Sequence, residues 1–273
     1  MKKVAFQILF ILSSAITFAQ SKDLHFKYGK EKQQNLDLYL PVKVDAKTQV
    51  VIMLHGGAWM LGGNEYTIKH ARDLRDLGFI VANVDYRYVN NQNHYKELLS
   101  DIDSAFDYVS KQSAIYGYAK KDYHIVGLSA GAHLALLYGY TSNRNIKSIS
   151  SLCAPSRLDQ EVMFQFAKKW NFLKNIELLA DAEYSVSGQP DKAFTIISPY
   201  SHIKNIPTLL IHGTQDDLVP YQQSAELYTK LQENKVISKL VPMEGKGHDV
   251  GLNQPDSEKK VLQEIVNWIT TYQ

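Results

Sequence analysis

Five short, mostly apolar runs, each followed by a helical stretch, constrain this chain more than any other feature of its sequence. Val50–His55 sets the pattern: an almost unbroken apolar segment, as a strand covered on both faces requires. Phe79–Val84, Tyr123–Val126, Ile146–Cys153 and Thr208–Ile211 continue the series, and Ile237–Val241 supplies a last strand. Asn35–Leu40 differs, alternating with period two like a half-buried antiparallel strand. The stretches Ile68–Leu77, Glu97–Ser110, Ala130–Tyr140, Ser224–Leu231 and Glu258–Thr270 read as helices between and after them. This alternation predicts an α/β fold, a mostly parallel sheet with helices on both faces. Right-handed crossovers then bring the strand C-termini to one edge, where sites gather.

Composition removes several function classes. With 273 residues, 45% of them hydrophobic, the chain can bury a substantial core and is not a disordered one. A formal net charge of +2 offers no electrostatic footprint for nucleic acid. One cysteine, Cys153, excludes an intramolecular disulfide framework, and its place near the end of an apolar strand reads as a small core residue. No cluster of histidines and carboxylates has metal-ligand spacing and no glycine loop is built to cradle phosphate, so neither metal nor cofactor is expected.

The N-terminus points to export. Met1-Lys2-Lys3 is a basic start, Val4–Phe18 is largely apolar, and Thr17-Phe18-Ala19 offers a small residue for cleavage. That is the plan of a signal peptide over residues 1–19, and the apolar run is shorter than the ~20 residues a spanning helix needs. The expected product is a periplasmic or secreted protein without stable membrane insertion, one domain over residues 20–273. Lys2 and Lys3 carry the whole formal excess, so the mature chain is near neutrality and favours neutral substrates.

One stretch, residues 156–204, separates two strands by far more than a usual connection. Within it Met163, Phe166, Trp170, Leu173 and Glu177 recur at spacings of three and four. They predict an amphipathic helix packed on the core, which is also the form a short lid over the strand-end edge would take.

Chemistry-bearing residues follow four of the strands. Gly127-Leu128-Ser129-Ala130-Gly131 joins an apolar strand to an Ala/Leu-rich helix, the setting of a nucleophile elbow. The glycines suit a point where strand and helix converge, and the Ala130 N–H opens the helix, where an anionic oxygen is stabilised. His55-Gly56-Gly57-Ala58-Trp59 places small residues after another buried strand, so that two backbone N–H groups can join that of Ala130 in an oxyanion hole. Asp216 and Asp217 follow the Thr208–Ile211 strand; Asp216 is the preferred acid and Asp217 the alternative, since adjacent residues point differently. His248, in the glycine-flanked Gly245–Asp249 loop, is the expected base, with His202 as its alternative. His133, one turn after Ser129, reads as packing, and His55 and His212 as holding loops.

Taken together, His55–Trp59, Val84-Asp85-Tyr86-Arg87, Gly127–Gly131, His212–Asp216 with Val219-Pro220, and Gly247-His248 resemble the α/β-hydrolase superfamily. The likeness lies in its esterase/lipase branch, similar to hormone-sensitive lipases and bacterial feruloyl-esterase-like enzymes, and it runs from about Leu36 to Trp268. It implies an eight-stranded sheet with Ser129 as nucleophile, Asp216 as orienting acid and His248 as base. It further implies that Gly57, Ala58 and Ala130 supply the oxyanion donors, and that Asp85-Tyr86-Arg87 fixes a nearby loop. Ala58 departs from the third glycine of many lipases but retains an N–H. The function so implied is a serine carboxylic-ester hydrolase acting through an acyl-enzyme on short acyl or aryl esters, with a small-molecule or oligosaccharide ester as partner. A small peptidase, an aryl-formamide hydrolase, or a non-catalytic recognition module on the same fold are the alternatives.

Overall fold

The structure is a computed structural model and describes residues 20–185 and 191–272. The signal peptide expected over residues 1–19 lies outside the described residues. Among the described residues eight strands form one sheet: β1 Lys22–Lys27, β2 Asn35–Leu40, β3 Val50–Leu54, β4 Ile80–Val84, β5 Tyr123–Leu128, β6 Ile146–Leu152, β7 Thr208–Gly213 and β8 Ser238–Met243. Their order is β1-β2-β4-β3-β5-β6-β7-β8. β2 pairs antiparallel with both β1 and β4, and every other pairing is parallel. The one strand without an apolar signature is β1, because this edge strand is largely exposed.

Among the described residues eight α-helices accompany the sheet: α1 Ile68–Asp76, α2 Tyr95–Tyr116, α3 Ala130–Thr141, α4 Glu161–Lys169, α5 Leu173–Ala180, α6 Lys192–Ile196, α7 Gln222–Glu233 and α8 Pro255–Thr271. Strand alternation divides the apolar side chains between two cores. On β3, Val50, Ile52 and Leu54 enter one cluster, while Val51 and Met53 enter the other, on the opposite face. α3, buried from Ala130 to Tyr140, lies within the larger cluster; α8 packs Val261, Ile265, Trp268 and Ile269 into the smaller. Among the described residues no helix is long and apolar enough to cross a membrane.

The long connection departs from the single amphipathic helix that its periodicity suggests. Over the stretch from Met163 to Glu177 it forms not one helix but parts of two, α4 and α5, separated at Asn171, which has φ +60°. The face it buries is also different: Met163, Phe164 and Ala167 on α4, then Ile176 and Leu179 on α5, all in the larger core. Trp170, expected on the buried stripe, is 42% exposed. The stripe fails because a left-handed residue resets the helical phase between Phe166 and Leu173.

Candidate functional site

Among the described residues six strands pair in parallel, β3 through β8; they end at one edge, and the loops leaving β3, β5, β7 and β8 meet there. The turn between β5 and α3 is the tightest. A Cβ on Gly127 would lie 2.4 Å from the Gly131 carbonyl oxygen, and one on Gly131 would lie 2.3 Å from the carbonyl oxygens of Leu54 and His55. Strand and helix therefore approach to a distance that only glycine permits. Ser129 between them takes φ +54°, ψ −118°, a strained geometry that lifts its side chain off the sheet edge.

His248 Nε2 lies 2.8 Å from Ser129 Oγ, and His248 Nδ1 lies 2.7 Å from Asp216 Oδ2. A carboxylate only accepts, so Nδ1 carries the hydrogen and Nε2 is left to accept the serine proton. Asp216 is buried, and its other oxygen accepts the N–H groups of Leu218 and Val219, both at 2.9 Å. Asp217 is exposed and forms no part of the relay, and His202 instead bonds the Ile196 carbonyl. Burial works to raise the Asp216 carboxyl, but hydrogen bonds from His212 and His248 outweigh it and hold the group well below the usual carboxylate range.

His212 makes a contact that its sequence position did not announce. Fully buried, it donates from Nε2 to Asp216 Oδ2 at 3.1 Å and to the Val219 carbonyl at 3.0 Å, while Nδ1 meets Ser224 Oγ at 2.7 Å. The acid thus has two imidazole donors on one oxygen.

Across the edge, Gly57, Ala58 and Ala130 line the same cavity as Ser129 and His248. Their N–H groups donate to no partner among the described residues, which leaves three donors for an anionic oxygen. Gly57 has φ +128°, Ala58 +47° and Trp59 +61°. The Trp59 indole N–H donates to His133 Nδ1 at 3.2 Å, and His133 Nε2–H donates to the Ile197 carbonyl at 2.7 Å. Burial pushes the His133 imidazole down to about 4, against the pull of that carbonyl, so it sits in the fold as a neutral bridge. His133 does pack, as its place on α3 suggests, but it also ties the loop after β3 to the segment before β7. Asn175, on α5, bonds the Ala58 carbonyl at 3.0 Å; nothing in the sequence marks it.

The Asp85-Tyr86-Arg87 segment supports the loop from below. Asp85 Oδ1 accepts the Asn64 N–H at 2.5 Å, Tyr86 donates its hydroxyl to the His55 carbonyl at 2.6 Å, and Arg87 forks onto Asp101. His55 is buried and stacked on Tyr86 at 4.4 Å. Burial raises the Asp85 carboxyl to about 6, although the Asn64 N–H opposes it.

The cavity between the two sides measures about 520 Å³ and is walled by Leu61, Tyr66, Pro155, Phe172, Leu218 and Val219. Its surface suits an apolar group next to Ser129. Two groups of potential metal donors exist among the described residues, and each is already engaged. In Cys153/His212/Asp216 the imidazole is committed to the carboxylate, and burial pushes the thiol well up. In His70/Asp73/Glu258 the Lys69 ammonium pairs with both carboxylates, at 2.8 and 2.5 Å.

Comparison with known proteins gives this arrangement a context. A probable isoprenylcysteine alpha-carbonyl methylesterase of Oryza sativa subsp. japonica is 27% identical over 263 residues, covering 89% of this chain and 61% of that protein. The chain therefore spans about three-fifths of the length of that curated relative. A truncated carbohydrate esterase from gut microbiota superposes with a TM-score of 0.74 at 19% identity, covering 93% of this chain and 98% of that one. Esterase B from Lactobacillus rhamnosis gives 0.73 at 21% identity, covering 91% and 84%. These two likenesses establish the fold. The BD-FAE family model matches residues 36–231, most of the sheet together with the elbow and the acid. The chain belongs to the BD-FAE family, within the esterase/lipase branch of the α/β-hydrolases.

Proposed function

We propose that this protein is a serine carboxylic-ester hydrolase that works through an acyl-enzyme, with Ser129 as nucleophile, His248 as base and Asp216 as orienting acid. One observation carries the reading: the continuous line from Ser129 Oγ through the imidazole to a buried carboxylate, with steps of 2.8 and 2.7 Å. As Ser129 attacks the ester carbonyl, His248 Nε2 takes its proton, and Asp216 stabilises the imidazolium. The carbonyl oxygen becomes an anion facing the N–H groups of Gly57, Ala58 and Ala130. When the tetrahedral adduct collapses, the C–O bond to the leaving alcohol breaks and His248 returns the proton to it. Water, deprotonated by the same imidazole, then attacks the acyl-enzyme and releases the acid.

The apolar walls favour a short acyl or aryl group on the acyl side, and the open side of the cavity leaves space for a larger alcohol, a sugar among them. The esterase names of the rice relative and of the gut carbohydrate esterase agree with an ester substrate. Export rests on the leader-like residues 1–19. A fluorophosphonate probe is expected to label the wild-type protein at Ser129. Ser129→Ala should abolish labelling and lower kcat for p-nitrophenyl acetate by on the order of 10⁶. Labelling elsewhere, or undiminished turnover by the variant, would overturn the assignment. A panel pairing each ester with its amide separates ester from peptide or formamide hydrolysis.

A further inference from the structure

Among the described residues, one polar side chain of the connection between β6 and β7 bonds the loop after β3. Asn175 donates its amide Nδ2–H to the Ala58 carbonyl at 3.0 Å. Two peptide planes flank Ala58, and they are held by different means. The carbonyl of the Gly57–Ala58 plane accepts the N–H groups of Met60 and Leu61, at 3.0 and 2.9 Å, within its own tight turn. The Ala58 N–H, trans to that carbonyl, is therefore turned away from the turn. The carbonyl of the Ala58–Trp59 plane is held by Asn175.

Ala58 and Trp59 both lie in the left-handed region, at φ +47° and +61°, where non-glycine residues stay only if their surroundings impose it. Trp59 has its own anchors: its indole bonds His133 and its carbonyl accepts the Val89 N–H at 2.9 Å. Ala58 has only a methyl group, and its conformation depends on the two planes beside it. We propose that Asn175 is a positioning residue that fixes the Ala58 peptide, and through it the aim of the oxyanion donors. The inference rests on the hydrolase reading given above. Without the Asn175 amide the Ala58–Trp59 plane loses its anchor, Ala58 relaxes toward negative φ, and the tight turn that carries the Ala58 N–H shifts with it, away from the point where the carbonyl oxygen gathers charge.

α5 does not need Asn175 to stay in place. Ile176 and Leu179 are fully buried in the larger core, and the His94 Nδ1–H bonds the Leu178 carbonyl at 2.7 Å. A substitution at Asn175 can therefore be examined in a folded protein. Asn175→Leu keeps the size and removes the donor, and Lys174→Ala, on the exposed neighbour, controls for disturbance of the helix. With p-nitrophenyl acetate, Asn175→Leu is expected to lose on the order of 30-fold in kcat, with KM changed less than about 2-fold. Inhibition by an aryl trifluoromethyl ketone, which forms the tetrahedral adduct, should weaken in the same proportion, while Tm and the Lys174→Ala kinetics stay at the wild-type level. Wild-type kcat and inhibition in Asn175→Leu would overturn the proposal. So would a loss confined to KM, or one matched by Lys174→Ala. If the wild type is active and Ser129→Ala is not, such a result removes only the role of Asn175; if the wild type and Ser129→Ala turn over the ester equally, the hydrolase reading falls and this inference with it.

Discussion

The two sides of the candidate site are held in opposite ways. On the acid side most contacts are close in sequence: Asp216 is gripped by His212, Leu218 and Val219, all within four residues, while His248 comes from farther away. On the oxyanion side Gly57 has a local turn to Met60 and Leu61, but Ala58 and Trp59 are held by His133, Asn175 and Val89, which are 30 to 117 residues distant. A local grip forms with its own strand and turn, and it is redundant, because four hydrogen bonds converge on one carboxylate. A remote grip exists only once the sheet, α3 and the long connection have assembled, and each contact stands nearly alone. The acid side should therefore tolerate loss of an auxiliary contact, while the oxyanion side should not.

The largest effect should come where neither side has a substitute. Asp216→Asn keeps the shape of the acid but removes its charge and favours the wrong imidazole tautomer, so kcat should fall by on the order of 10⁴ with KM little changed. A loss of only tenfold in steady-state assays would mean that another group, Asp217 foremost, replaces it. Gly57→Ala comes next. Its Cβ would lie 1.9 Å from the Leu61 carbonyl oxygen, at a φ of +128°, so the turn must open and the N–H groups must move. We expect a kcat loss of ~10²–10³, comparable to removing one oxyanion donor. A variant with normal kcat and unaltered tetrahedral-adduct affinity would show that the loop's conformation is not what sets those donors.

The same contrast governs what could be read before the fold was known. Ser129, Asp216 and His248 each sit in a short segment whose punctuation is local: glycines where strand meets helix, an acid just past a buried strand, a histidine among glycines. The centre of the sheet was legible for a related reason, since a strand buried on both faces advertises itself in five or six consecutive residues, whereas the largely exposed edge strand β1 does not. Remote contacts carry no such mark. Asn175 is one polar residue on an amphipathic helix, and its partner 117 positions away is a backbone carbonyl, which no sequence pattern encodes. His133 was legible as buried but not as a bridge, because its partners, Trp59 and Ile197, come from other layers. The stripe from Met163 to Glu177 misled for the converse reason. Spacing assumes one continuous helical phase, and Asn171 breaks it.

Protonation offers a smaller test of the oxyanion side. His133 is fully buried, with its imidazole pushed down to about 4 from an ordinary value near 6.5. The unfolded chain takes up a proton below pH ~6.5 and the folded one does not until about 4, so stability should fall as pH drops through that interval. The full effect is ~3 kcal/mol at 1.36 kcal/mol per pH unit. His124, buried and pushed down to about 3, adds a slope of the same sign. Denaturant titrations at pH 7.5, 5.5 and 4.5 should give a shallower decline for His133→Gln than for the wild type. Parallel curves would show that the imidazole is not held neutral between Trp59 and Ile197.

The smallest expected effect tests redundancy on the acid side. His212→Phe removes the Nε2–H donor and the acceptor for Ser224 while leaving a ring against Tyr221, which now meets it edge-on at 5.8 Å. Asp216 would keep the donors of His248, Leu218 and Val219, which suffice to hold its orientation. One charge-assisted hydrogen bond is worth ~1.5–3 kcal/mol, but with three others sharing the charge the kinetic loss should lie near the lower end, about tenfold in kcat. His212→Gln, whose amide can occupy the Nε2 position, should recover most of it. The comparison then has a numerical form: loss of the auxiliary donor His212 should cost less than loss of the remote donor Asn175. If His212→Phe instead costs ~10³ and Gln restores it, the acid depends on one donor as much as the oxyanion loop does, and local redundancy has no kinetic meaning.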